Sequence, residues 1–374
     1  MSAQSERDDL TKLTVAELAQ AFIASVQAAA ATEHVGRINR LARQQAAIMQ
    51  ELRARGEERS VCERLATHAD AEVRRWASSH LDWLDRPRPK EAPAPKRPLR
   101  PEILWQCDHP PPPALTRDEI AGRLRRGVPA ACDRLMDFVL PAIGLWPQRR
   151  ADIPATASRF GGKPWAPPDW QWPAAVEDEP LLFVGQINCA ELRGLPGAEL
   201  LPSSGLLSFF GDHDSVTGCF PFGDGGVYHW PDIDRLIPAE GTIEPIETFP
   251  SCALALRPFL DLPHPFSRAI GKLDLNEDQQ RSYFDVWLDI RSHRIPPNCV
   301  AYAAFSKLLG WPHLVQSNLL ESDDDTRLLL QVDGYCNGDM LHGWGPGGSL
   351  YYMLPESDLR ACRFENCELE GQFT

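Results

Sequence analysis

Gly162-Lys163-Pro164, Pro180-Leu181-Leu182-Phe183-Val184-Gly185-Gln186-Ile187 and Gly205-Leu206-Leu207-Ser208-Phe209-Phe210 form a phrase that the chain repeats more loosely. Its echo is Gly310-Trp311-Pro312, Leu328-Leu329-Leu330-Gln331-Val332 and Gly348-Ser349-Leu350-Tyr351-Tyr352-Met353. From Pro164 to Gln186 is 22 residues and from Gln186 to Gly205 is 19; from Pro312 to Gln331 is 19 and from Gln331 to Gly348 is 17. A turn, a strand with one internal glutamine and a glycine-led aromatic strand, written twice, predict two half-domains that share a sheet. Gln186 and Gln331 then occupy equivalent strands, and Gly205 and Gly348 open equivalent ones.

Around this phrase the texture beyond residue 150 is that of strands and turns. Apolar segments stand at 181–188, 205–210, 252–257, 327–332 and 348–354, each bounded by Gly, Pro or Asp. A helix is expected from an Asn276 cap to about His293, with Phe284, Trp287, Leu288 and Arg291 along one side, and a shorter one over 300–309. The fold class is therefore α+β, dominated by β-sheet. Upstream, Thr116-x-x-Glu119 starts a short helix and another is predicted over 129–140. Residues 86–101 hold six prolines in sixteen positions, which favours extended polyproline II and reads as a linker. The first 85 residues read as helices near 15–30, 34–55, 61–67 and 71–84, with starts at Thr14-x-x-Glu17, Ser60-x-x-Glu63 and Asp70. Val73, Trp76, Ala77 and Leu81 share a face of the last helix, and the stretch around them resembles the turn and second helix of a HEAT-type repeat. The expected domains are 1–85 (helical), 86–114 (proline-rich linker) and 115–374 (α+β).

The net charge of −14 is unevenly spread. Residues 1–150 hold 24 Lys and Arg against 20 Asp and Glu, whereas residues 151–374 hold 14 against 32, a balance of −18. Such a surface repels phosphate backbones and attracts basic proteins, so no nucleic acid is expected as a partner. No apolar run reaches the length of a membrane span, and Glu6, Asp8 and Asp9 before the first apolar stretch are the opposite of a basic leader, so a soluble cytoplasmic protein is expected. The ten cysteines are scattered without a CxxC pair, which reads as reduced thiols rather than a disulfide framework or zinc site.

Residues 158–164 (Ser-Arg-Phe-Gly-Gly-Lys-Pro), Trp170-Gln171-Trp172-Pro173 and Pro180 to Asn188 resemble the opening of the YwqG-like domain. Leu206 to Phe210, Leu309-Gly310-Trp311-Pro312 with Gln316, Leu328 to Val332, and Trp344 to Gly348 with Leu359 and Phe364 continue the resemblance in order, over roughly 115–372. The resemblance implies a mostly β, α+β domain in a bacterial, cytosolic protein. It carries over no catalytic residue, and it implies that some relatives are grouped with immunity proteins of secreted toxins.

Chemistry-bearing groups are sparse. Asp212-His213-Asp214, Asp224, His229, Asp232 and Asp234 lie within 23 residues and could hold a divalent cation or orient a base, yet no recognised ligand spacing occurs, and acidic turns are common. The glycine-rich pieces at 223–226 and 343–348 lack the following helix that a phosphate loop needs and read as tight turns. Cys252 and Cys336 are conceivable nucleophiles with His229, His313 or His342 as bases, with packing thiols as the plainer reading. Trp165, Trp170 and Trp172 crowd a loop followed by Glu177-Asp178-Glu179, and Trp344 stands at the turn of the second half. The expected binding residues are Lys163, Trp165, Trp170, Trp172, Gln186, Gln316 and Trp344: aromatic anchors with an acidic rim, against the alternative that the rings only seal the sheet. The expected function is a non-catalytic protein-binding module, an immunity or antitoxin type that engages a basic toxin, with no cofactor. The competing reading is a metal-assisted hydrolase or small-ligand enzyme built on Asp212 to Asp234.

Overall fold

The structure is a computed structural model that describes residues 10–31, 41, 44–45, 48–49, 51–85, 113–148, 150, 152–174, 180–211, 222–223, 225–239, 251–294, 306–315, 325–333, 335–336, 339–340 and 348–372. The proline-rich linker and most of the predicted helix over 34–55 lie outside them. The chain divides into two compact units, Met1–Pro98 and Leu99–Thr374.

In the first unit α1 (Val15–Ala30) begins as its sequence demands. Thr14 Oγ1 accepts from the Glu17 N–H at 3.3 Å, and the Glu17 carboxylate accepts from the Thr14 N–H at 2.8 Å, which satisfies two otherwise orphaned donors. Asp70 caps α3 (Ala71–Asp85) by accepting from Glu72 and Val73. Ser60 starts nothing: α2 (Glu58–Leu65) begins two residues earlier, and the Ser60 hydroxyl donates to Glu57. Leu18 and Phe22 of α1, Val61 and Leu65 of α2, and Val73 and Ala77 of α3 close one core with Ile48, Met49 and Leu52, and Trp76 and Leu81 pack against it.

The second unit is built on an eleven-stranded, wholly antiparallel sheet. Its strands are β1 (Leu140–Gln148), β2 (Arg159–Phe160), β3 (Leu182–Asn188), β4 (Leu206–Gly211), β5 (Phe222–Gly223), β6 (Gly225–Trp230), β7 (Cys252–Asp261), β8 (Lys307–Leu309), β9 (Thr326–Asp333), β10 (Ser349–Pro355) and β11 (Glu368–Gln372). They lie in the order β5-β11-β10-β9-β8-β1-β7-β2-β3-β4-β6. Apart from the short edge strand β5, which has no counterpart, the order is symmetric about β1 and β7, with β8 matching β2, β9 matching β3, β10 matching β4 and β11 matching β6. The first strand of each half is exchanged: β1 pairs with β8 of the second half and β7 with β2 of the first.

The register bears out the duplication residue by residue. Gln186 lies between Arg159 and Ser208, and Gln331 lies between Lys307 and Tyr351, so the two glutamines are equivalent. Three residues before Ser208 stands Gly205, and three before Tyr351 stands Gly348. Even the irregularities match, between Phe183 and Gly185 in β3 and between Leu328 and Leu330 in β9.

One sheet face carries Leu145, Val184, Phe209, Leu254, Leu330, Val332, Leu350, Tyr352 and Leu369, all in one core. The sheet curls round it. β5 and β6 are one residue apart in the chain, yet β5 pairs with β11 at one edge and β6 with β4 at the other, which closes the sheet into a near barrel. The Tyr352 hydroxyl donates to the Phe210 carbonyl across the interior at 3.2 Å. A second core joins the ends of β1 and β7 (Val139, Leu262) to α4 (Arg117–Gly127), α5 (Cys132–Met136), α6 (Arg268–Gly271) and α7 (Glu277–Ser292). The last helix, α8 (Glu356–Arg360), follows β10.

Three expectations are corrected here. The helix predicted over 129–140 is a short 3-10 turn and α5, after which β1 starts at Leu140. Residues 307–309 of the second predicted helix are the strand β8. The helix from the Asn276 cap is present, but its buried stripe is Tyr283, Trp287 and Ile290, one residue out of phase with Phe284, Leu288 and Arg291.

The turn after β8 reverses through Leu309 (φ 60°) and Gly310 (φ 73°), as the turn after β2 does through Gly161 (60°) and Gly162 (74°). A Cβ on Gly310 would stand 2.7 Å from an Asp261 carboxylate oxygen and 2.8 Å from Ala142 Cβ, whereas one on Gly194 (φ 77°) would meet nothing within 4 Å. Gly194→Ala should therefore cost only the left-handed backbone penalty of about 1 kcal/mol. Gly310→Ala should cost at least about twice that, read as the fall in urea unfolding midpoint.

Candidate functional site

The two half-sheets share a plan but differ on their outer faces, and each difference defines a site. In the first half, strand alternation puts Tyr228 and Trp230 of β6 on the same face as Phe210 of β4 and Phe183 of β3. Gly226 lies under the Tyr228 ring, where a Cβ would come within 2.9 Å of it. Over these rings lies the loop carrying Trp170 and Trp172. It is held by Trp170 N–H to Pro167 O (3.0 Å), by the Trp172 indole N–H to Leu181 O (2.8 Å) and by the bridge of Ala174 to Pro180. Trp170 meets Trp172, Phe210, Tyr228 and Trp230 at centroid distances of 5.5–5.9 Å, and Tyr228 and Trp230 stack at 5.5 Å. Phe210 and Phe183 are buried, while Trp170, Trp172, Tyr228 and Trp230 are all half-buried. They form a continuous aromatic patch with one side in the sheet and one side in water.

In the second half the corresponding face is polar and closed. Lys307, Gln331, Asp333, Ser349, Tyr351, Glu370 and Gln372 all retain 5 % exposure or less. At its inner end Asp261, fully buried, accepts from Lys307 Nζ (2.6 Å), from the Trp311 N–H (3.0 Å) and from Arg294 Nη2 (3.4 Å), and pairs with His313 Nε2 at 3.1 Å. Lys307 also donates to the Trp311 carbonyl. Burial alone would raise the Asp261 pKa; Lys307, His313 and Arg294 together hold it well below the carboxylate range. Burial pushes the Lys307 ammonium down to about 8, with Asp261 acting against it, and keeps His313 neutral. The Gln331 side-chain oxygen accepts from the His313 N–H at 3.0 Å, and the Tyr351 hydroxyl donates to the His313 carbonyl at 2.7 Å. At the outer end burial raises Glu370 to about 8, helped by neighbouring Glu368 and opposed by a bond from Gln372.

The residues expected from sequence are distributed as follows. Trp170 and Trp172 enter the aromatic patch. Trp165 is half-buried in a separate two-residue ribbon, paired with Pro238. Lys163 is exposed, and its backbone carbonyl accepts from the Arg159 guanidinium. Gln186 is buried and donates to Ala155 O and Ala157 O, which makes it a brace for the loop before β2 rather than a surface contact. Gln316 and Trp344 lie outside the described residues, as do Asp212, His213, Asp214 and Asp224. Of that acidic cluster, His229 meets Ser204 O at 3.0 Å, Asp232 accepts from the Asp234 N–H, and both aspartates are exposed. Cys252 lies in the core, and its thiol donates to the Ala253 carbonyl at 3.2 Å.

Tyr228, Trp230, Asp261, Arg294 and Lys307 were not anticipated. The signal for Lys307 was at hand: if Gly162-x-Pro164 matches Gly310-x-Pro312, Arg159 must match Lys307. Tyr228 and Trp230 stand two apart, as neighbours on one strand face must.

Glu370 offers a pH test. Its folded pKa is raised, so its contribution is fully present below the unfolded value near 4.5 and is lost as pH rises through about 8. Asp261 has the opposite sign, and its contribution is lost only as pH falls below the carboxylate range. Burial holds His264 at about 4 and His313 well below the usual histidine value of 6.5, so both favour the folded state increasingly as pH rises to 6.5 and oppose Glu370 there. The decline in melting temperature should therefore appear between about pH 6.5 and 8.5, and Glu370→Gln should flatten it.

The profile of a domain of unknown function, DUF1963, matches residues 158–372, more than half of the chain. No curated protein matches. The match begins at the residue before the buried cation Arg159 and ends at Gln372 in β11, so it spans the repeated phrase and both outer faces. The chain belongs to the DUF1963 family, the YwqG-like domain family.

Proposed function

We propose that the β unit is a non-catalytic binding module that grips a basic protein through the patch of Trp170, Trp172, Tyr228 and Trp230. One observation carries this reading: four large rings joined through Trp170, each only half-buried, on a sheet face whose counterpart in the other half is shut. Aromatic side chains with one face in water are the usual anchors of protein recognition, and their π faces attract Arg and Lys. The five residues that the Ala174 to Pro180 bridge brackets include Glu177, Asp178 and Glu179, and residues 151–374 carry the −18 balance. Both favour a cationic partner. In its sharper form the protein is a bacterial, cytoplasmic immunity or antitoxin protein that occludes a basic toxin, with the N-terminal helices as a HEAT-like extension. The metal-assisted alternative draws no support from the described part of its cluster, where His229 and Asp232 are engaged with backbone groups.

Cross-linking in cells that express the full chain should join a basic protein to the loop of Trp170 and to β6. With that partner purified, Trp170→Ala should weaken affinity by about 2 kcal/mol, roughly thirtyfold, read well below its melting temperature, which the lost packing on Phe210 and Tyr228 also lowers. An affinity unmoved by Trp170→Ala and Tyr228→Ala removes the reading.

A further inference from the structure

The aromatic patch of the first half has a relief, a charge and a set of donors that together narrow what can lie on it. Tyr228 and Trp230 are parallel to within 9°, while Trp170 stands at 76° to each. Its ring faces therefore lie in two steeply inclined planes, not one flat floor. The segments that carry its four half-buried rings, residues 164–192 and 225–234, contain no Lys or Arg; the cations next in sequence are Lys163, Arg193 and Arg235. Exposed carboxylates flank the rings instead, Asp169 directly before Trp170 and Asp232 and Asp234 just after Trp230. The donors fall into two pairs. The Trp172 indole N–H is held by Leu181 O and that of Trp230 by Ser208 Oγ, which fixes those rings to the sheet. The Trp170 indole N–H and the Tyr228 hydroxyl are taken by no group among the described residues, and both reach solvent.

We infer that the segment seated on this patch is a proline-rich stretch of a partner protein, extended as polyproline II and carrying Arg or Lys between its prolines. This rests on the reading of the patch as a protein-binding surface and gives that partner its chemistry. A bound helix has already used its carbonyls within itself, and an added strand is held at a sheet edge, whereas these donors stand on a sheet face. A polyproline II segment makes no internal hydrogen bonds, so its carbonyls are free to accept from the Trp170 indole and the Tyr228 hydroxyl. With three residues per turn it can lay one row of proline rings against each ring plane. It is also stiff before it binds, so little chain entropy is lost on a surface that offers few hydrogen bonds. Its remaining row meets Asp169, Asp232 and Asp234, which select Arg or Lys there.

Calorimetric titration of the full chain at one fixed ionic strength, with peptides of three Arg-Pro-Pro, three Arg-Gly-Ser or three Glu-Pro-Pro units, tests it. The Arg-Pro-Pro peptide should bind saturably. The Arg-Gly-Ser peptide, equal in charge but flexible, and the Glu-Pro-Pro peptide, equal in backbone but acidic, should each bind about tenfold more weakly or worse. Tyr228→Phe, which removes one hydroxyl and keeps the packing, should weaken the Arg-Pro-Pro peptide at least threefold, and Trp170→Phe at least fivefold. Equal binding of the Arg-Gly-Ser peptide, or an affinity unmoved in both variants, overturns the assignment. So does self-association of the chain that Trp170→Phe breaks, which would make a second copy the occupant. So does a tenfold rise in peptide affinity when the six prolines of 86–101 are replaced by serine, which would make the chain's own segment the occupant. Failure of the Arg-Pro-Pro peptide to bind, while a cross-linked basic partner still depends on Trp170, overturns this inference and leaves the broader reading standing; a partner indifferent to Trp170 and Tyr228 removes both.

Discussion

A buried cation at the end of a two- or three-residue strand is the constraint on which each half of the β unit rests. Arg159 and Lys307 occupy equivalent register positions, each paired with a buried glutamine on the next strand. After one intervening residue, each is followed by two residues of positive φ, and each donates to the carbonyl four residues on: Arg159 to Lys163, Lys307 to Trp311. Burying a charge is affordable only where acceptors converge on it. The reversed turn supplies a carbonyl that a regular strand would have spent on its neighbour. Cation and turn therefore require one another, and together they set where the chain leaves β2 and β8 and how the following loop meets the outer face.

The halves diverge in how the remaining donors are used. Arg159 also gives hydrogen bonds to Gly161 O and Ala155 O, so its charge is dispersed over backbone carbonyls alone, and burial lowers its pKa to about 10. Lys307 has a compact head, and its second partner is a carboxylate, Asp261, brought in by the exchanged strand β7. That carboxylate fits because Gly310 has no Cβ. Once a carboxylate is buried there, Arg294 and His313 are drawn to it, and the outer face of the second half becomes an ionic interior. The first half, with no such charge to shelter, can leave its face to aromatic rings.

The sequence disclosed the periodic part of this and hid the rest for identifiable reasons. The five apolar segments are strands, with bounds shifted by a residue or a few, because alternation over a buried face leaves a strong pattern. The duplication was legible because Gly-x-Pro turns, the glutamines and the glycine-led strands must be kept for the register to close. The central strand β1 was not, because Pro141 and Pro147 argue against a strand paired on both sides. Leu145 N–H points to β8, donating to Ser306 O, and the two prolines share its parity; β8 pairs only with Ala142 to Gly144, so neither proline removes a ladder bond. Lys307 and Asp261, 46 residues apart, could not be paired by spacing, since strand exchange rather than local sequence brings them together.

Exchange of the first strands also explains why one fold carries two unlike faces. Had β1 stayed with β2 and β7 with β8, each half could close on itself. Instead β7 serves both: Ala253 pairs with Arg159 at one end, and Asp261 reaches Lys307 at the other. Its ten residues run past the centre of the sheet, so the start of the strand belongs to the first half and its end to the second. A change at Asp261 is thus felt by the strand that also seats β2, and through β2 and β3 by the sheet beneath Trp170. The closed ionic face is in this way part of the frame that holds the open aromatic one in place.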